Sequence, residues 1–227
     1  MKMFLVFAAA LCCASLCFAD ITIVQKVESG SIMGQPAQNT VQTMKIKGSK
    51  ARIDQQNQPQ YQILDLAAKK MYMVDPQKKE TMVMGLEMME AAGAMFQAMN
   101  QNSQLSVKET GNKKTVNGFN CSETLITMTG AMAFTSTNCY TQDIDSTEFE
   151  AFRPFSEGMM KTFLGDKGMT KLPKGVSVRS DTNMTMMGQQ IKASTEMISV
   201  SKEALPDSLF APPADFKLKE MTMPKMQ

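Results

Sequence analysis

The chain has 227 residues, 24 basic against 22 acidic side chains, and neither His nor Trp. So balanced a charge leaves no electrostatic footprint for nucleic acid, and the lack of His removes His-based triads, His general bases and His metal ligands together. No Gly-rich phosphate loop or nucleophile elbow occurs, so the expectation is a protein that is not an enzyme and has no cofactor.

Residues 1–19 read as a secretory signal: one Lys, then an apolar run, then small residues at Cys17 and Ala19. The run is about 16 residues, short of the roughly 18 to 20 that a spanning helix needs. Cleavage after Ala19 is expected to leave 20–227 as a single domain, periplasmic or secreted, with no transmembrane segment. That length is enough to bury a core. Two of the 24 methionines precede residue 20, leaving 22 against ten each of Leu, Ile and Val. A flexible thioether has therefore taken over much of the work of branched aliphatics.

Short segments with β-branched or Met content open the chain: Ile21 to Val27, Val41 to Lys47, Ala51 to Asp54, Tyr61 to Leu66, Met71 to Val74 and Thr81 to Met84. Polar punctuation with Gly, Pro, Asn and Gln separates them, predicting an antiparallel meander. Met71-Tyr-Met73 and Met82-Val-Met84 flank the turn signal Asp75-Pro-Gln-Lys-Lys79. A loop Pro76 to Lys79, even in length, would oppose Met71 to Met84 and Met73 to Met82, gathering four thioethers on one face; an odd loop would split them.

Leu86 to Asn100 reads as a helix, with Met88, Ala92, Met95 and Met99 along one face and Met89 and Phe96 beside it. Ser146 to Leu164 reads as a second, opened by the capping box Asp145-Ser-Thr-Glu148 and kinked at Pro154. Val176 to Met187 and Gln190 to Val200 are two further strands joined at Gly188-Gln189, and the proline-rich segment Leu205 to Phe216 is an irregular strap. The whole is an α+β domain, a curved antiparallel sheet with two helices packed on one face.

Cys121 and Cys139 are an even pair in an exported chain and suggest one disulfide. A three-residue loop Thr129 to Ala131, centred on Gly130, would set them directly opposite each other, with Ile126 facing Phe134 and Glu123 facing Thr137. No C-x-x-C motif accompanies them, so the bond reads as a staple.

The methionines allow three readings: adaptable core packing, the lining of a lipophilic site, or Cu(I) ligation by Met71, Met73, Met82 and Met84, since thioethers are soft and need no deprotonation. Asp143-Ile-Asp145 reads as a helix cap beside a solvated aspartate, because no loop of further oxygen ligands surrounds it.

Gly48-Ser-Lys-Ala-Arg52-Ile-Asp54, Ile63-Leu-Asp65 running into Lys70-Met-Tyr72, Thr115-Val-Asn-Gly118-Phe-Asn-Cys121, Lys174-Gly-Val176 and Leu205 to Phe216 together resemble an exported bacterial family that carries a domain of unknown function. Its architecture is similar to the LolA-like lipoprotein carriers. The resemblance implies a half-open barrel with helices on its concave side, where the carriers take acyl chains. The candidate lining is then Met71, Met73, Met82, Met84, Met88, Met95, Phe96 and Met99. The leading expectation is binding of a lipophilic small molecule between sheet and helices; the alternatives are a filled-core module for another envelope protein, and Cu(I) binding.

Overall fold

The structure, a computed structural model, describes residues 20–31, 37–88, 91, 104–130, 133–144, 149, 157–158, 173–186 and 189–221. Among the described residues twelve strands are formed: β1 (Ile21–Ser29), β2 (Gln38–Lys47), β3 (Lys50–Gln55), β4 (Tyr61–Asp65), β5 (Lys70–Asp75), β6 (Glu80–Gly85), β7 (Gln104–Val116), β8 (Phe119–Thr129), β9 (Ala133–Thr141), β10 (Val176–Met186), β11 (Gln189–Lys202) and β12 (Lys217–Glu220). They make one sheet in the order β12-β6-β5-β4-β3-β2-β1-β11-β10-β9-β8-β7, unclosed and curved. Every pairing is antiparallel except β12 with β6, which is parallel, a departure from the purely antiparallel sheet expected.

Short turns hold the meander to its register. Asp65 accepts a hydrogen bond from Ala68 N at 2.9 Å, and Asp75 accepts from Gln77 N and Lys78 N at 3.1 Å each. In both turns a lysine takes the left-handed position, Lys69 at φ 52° and Lys79 at φ 50°. An aspartate that folds back on the backbone two and three residues on fixes the loop length, and an even loop keeps the alternating faces in phase from strand to strand.

The main core defines the inner face of the sheet, where Ile21, Ile23, Ile46, Ala51, Val178, Met197 and the two cysteines are buried and Phe149 packs against them. On the opposite face, in β4 to β6, Ile63, Val74 and Thr81 are fully buried. The strap is tied to that side by Lys47 Nζ donating to Leu205 O and pairing with Asp207 at 2.9 Å, and by Arg52 donating to Leu209 O. Leu205 and Phe210, the latter in the 3-10 turn Asp207–Phe210, are its buried anchors. Arg52 also stacks on Tyr61 at 3.7 Å and forks onto Asp54.

Residues 86–88 and 91 are helical, as are 157–158, and Phe149 is in a 3-10 turn. The rest of the two expected helices, with Met95, Phe96 and Met99, lies outside the described residues. Among the described residues no helix is long and apolar enough to cross a membrane.

The cysteines are bonded, with Cα atoms 5.3 Å apart, but the register of their hairpin differs from expectation. Cys121 pairs with Thr141, Glu123 with Cys139, and Ile126 with Ser136, so the bond runs diagonally between neighbouring rungs. The strands end at Thr129 and resume at Ala133, so the connection is centred on residue 131. Gly130 opens the connection at φ 133°, a conformation that glycine alone adopts readily. Beyond the hairpin, β7 was not expected as a strand. It is polar, almost wholly exposed, and interrupted by an irregularity between Glu109 and Lys113.

Candidate binding face

In the half of the sheet from β1 to β6, the register sorts the inner-face side chains into three rows running across the strands. The first is Met84, Met71, Leu64, Ala51, Ile46 and Ile21. The second, one rung toward the 56–60 and 76–79 turns, is Met82, Met73, Gln62, Ile53, Met44 and Ile23. The third is Glu80 and Asp75, then Gln55, Gln42 and Gln25. Polarity therefore rises row by row, from the buried core to the turn end of the sheet. Gln25 Nε2 donates to Gln42 Oε1 at 2.9 Å, so two amides of the polar row satisfy each other.

Met71 pairs with Met84 and Met73 with Met82, so the four methionines share one face as the even turn requires. Three of them are half-buried, and Met82 is 40% exposed. Met73 and Met82 line a groove of about 350 Å³ at the turn end, together with Ile53, Gln55, Gln62, Asp75 and Glu80; Gln58, Gln60 and Lys78 form its rim. Met71 and Met84 stand one rung deeper, next to Leu64. Met88 is half-buried at the start of the helical turn that follows β6.

Both carboxylates at the groove mouth are held ionised. The Lys78 amide and ammonium at Asp75 keep its carboxyl below the usual carboxylate range, with the ammonium 3.2 Å away. Lys219, 2.6 Å from Glu80, does the same there. The sequence reading singled out the methionines but not the glutamine row or this acidic rung. The signal was present in the spacing: extending the even-loop rule of the Asp75 turn to its neighbours brings Gln55 and Gln62 onto the methionine face.

Elsewhere, Asp143 accepts from Asn120 N at 2.9 Å, a structural role; Asp145 lies outside the described residues. Among the described residues no group of three or more His, Cys, Asp or Glu is placed to hold a metal ion.

The described strands thus form a single curved sheet with an amphiphilic groove on one face. The chain belongs to the family described as Domain of unknown function (DUF4412), whose model matches residues 32–216. No curated protein matches it. Among solved structures it is similar to PNGF-II, at 12% identity and a TM-score of 0.42 over 89% of this chain and 31% of that one. It is similar to a chain of the Pseudomonas aeruginosa MucA/MucB complex, at 10% identity and 0.45 over 92% of this chain and 62% of that one. It is also similar to the LolA superfamily protein NE2245 from Nitrosomonas europaea, at 7% identity and 0.35 over 85% and 90%. The chain thus spans about a third of PNGF-II and under two thirds of the MucA/MucB chain. All three scores lie below 0.5.

Proposed function

We propose that this is an exported, non-enzymatic protein that binds a lipid or another lipophilic molecule on the inner face of its sheet. The observation that carries the reading is the row gradient: a half-buried methionine ladder leads from the core to a groove whose rim is amide and carboxylate. Apolar walls with a few placed polar groups are the usual make-up of a small-molecule site, and the groove volume falls in the usual range. Methionine suits such a surface because three rotatable bonds let it adapt to chains of different shape. The signal-like residues 1–19 support export, and the resemblance to lipoprotein carriers in the sequence points the same way.

The test is displacement of an uncharged apolar fluorophore from the purified oxidised protein by single-chain lipids. Saturable binding is expected, weakened about tenfold or more in Met73→Gln/Met82→Gln, since each thioether contributes on the order of 1.5–3 kcal/mol when covered. An affinity unchanged by that double substitution refutes the assignment to this face.

The pairing of Met71 with Met84 and Met73 with Met82 favours a second reading, Cu(I) held by thioethers in an oxidising compartment. Anaerobic competition with a Cu(I) chelator decides it. An affinity that survives replacement of all four by Leu removes the site.

A further inference from the structure

The groove's own polar chemistry carries a statement about its ligand. We propose that the site selects an amphiphile whose head is uncharged and hydrogen-bonding, such as a polyol or amide, over one with an anionic head. The inference rests on the lipophile reading above and names the class of ligand within it.

A chain lying along β5 and β6, over Met71 and Met84 and then Met73 and Met82, places its head at the third row, among Gln55, Asp75 and Glu80. A carboxylate or phosphate there requires a cation free to pair with it. Among the described groove-lining residues the only cation is Lys78, and it is already bound to Asp75 at 3.2 Å. Lys219, on the neighbouring β12, is engaged by Glu80 at 2.6 Å. Asp75 and Glu80 are both held ionised, Glu80 by Lys219 first and also by the charge of Lys217, its register partner on β12, so an anionic head meets two negative charges, each with a cation of its own already beside it. Desolvating a charge without a partner is costly, and a like charge beside it adds to the cost. The amides of Gln55, Gln58 and Gln62 around the same mouth each carry donors and an acceptor, and Gln60, whose Nε2 donates to Asp75 at 3.5 Å, keeps its carbonyl oxygen, a set that matches hydroxyl and amide heads. A site that presents donors and acceptors in this way discriminates by leaving its own polar groups unpaired when the wrong head binds.

The experiment compares three single-chain competitors of equal chain length against the same uncharged fluorophore, at neutral pH and below their micellar concentrations: a monoacylglycerol, the corresponding fatty-acid anion, and an alkyltrimethylammonium. The monoacylglycerol is expected to bind about tenfold or more tightly than the anion. Glu80→Gln, which frees Lys219, and Gln55→Lys, which adds a cation, are each expected to shrink that ratio severalfold by improving the anion. Equal or tighter binding of the anion by the native protein overturns the proposal, and so does a ratio that neither substitution moves. If the cation alone binds tightly, the acidic rung rather than the amides sets the preference, which also overturns it. If no competitor displaces the fluorophore, the lipophile reading itself fails; if all three displace it equally, that reading stands and only the head selection falls.

Discussion

Replacing both Cys121 and Cys139 by Ala removes a covalent tie, and the loop it closes sets the size of the effect. The cysteines are separated by 18 residues. The chain-entropy treatment of a loop of that length gives a loss of about 3 kcal/mol, through freedom returned to the unfolded chain. Both positions are buried, at 5% and 4% exposure, within the main core cluster. Ala leaves the site apolar, whereas Ser at each position buries hydroxyls and adds about 1 kcal/mol or more of destabilisation. For a domain of this size about 3 kcal/mol lowers Tm by roughly 6–12 °C. Urea unfolding of native, Ala/Ala and Ser/Ser proteins measures the differences directly, with the slope m checking that the unfolded state stays comparable. A loss below about 1 kcal/mol for Ala/Ala would refute the reasoning, since the unfolded hairpin would then already hold its ends together.

Phe210→Ala should cost about 3–5 kcal/mol, because this 3%-exposed ring anchors the strap, and hydrogen exchange should speed up in β3, which the 3-10 turn contacts; protection that stays unchanged there would show the strap held by its polar ties alone. Gly175→Ala should destabilise by about 2 kcal/mol or more, since φ is +109° and an added Cβ would stand 2.3 Å from Thr141 O. Gly48→Ala, at φ +55° with nothing within 4 Å, should cost about 1 kcal/mol, and equal melting shifts for the two would contradict the steric argument. Glu123, held by Lys114, Asn112 and Thr110 against the desolvation of its site, has its carboxyl pulled down to about 2. Its folded value lies below the unfolded one, so its stabilisation is complete above the ordinary carboxylate range and is lost as pH falls from there through about 2. The urea midpoint of the native protein should drop more steeply over that window than that of Glu123→Gln, and parallel curves would sink the argument.

The part of the fold that was legible in the sequence is the part built from short turns with strong local chemistry. Asp75-Pro-Gln-Lys-Lys79 closes a four-residue connection through its own aspartate, and that alone placed all four methionines on one face. The Cys121–Cys139 hairpin departs from the expected register because Gly130 does not stand at the centre of the loop: its positive φ is used at the first position. That shift of one residue in the loop moved every rung of the ladder. The strand β7 was invisible because an exposed edge needs no alternation: Lys108, Lys113 and Lys114 belong to a strand that faces water, the usual protection of an open edge. β12 escaped notice for a related reason, since its four exposed residues are placed by the long-range hydrogen bonds from Lys217 N to Lys79 O and from Met221 N to Val83 O. The amphiphilic character of the groove was half legible. The methionines announced themselves by number, but the glutamine row becomes a row only when six strands are laid side by side.

The central claim, that the methionine-lined inner face holds a lipophilic ligand, is tested most directly by native mass spectrometry of the oxidised protein recovered from its own host. A stoichiometric adduct of lipid mass is expected, one that leaves on organic extraction and is lost in Met73→Gln/Met82→Gln. A mass equal to the polypeptide alone, less the two protons of the disulfide, from protein never exposed to detergent would contradict it.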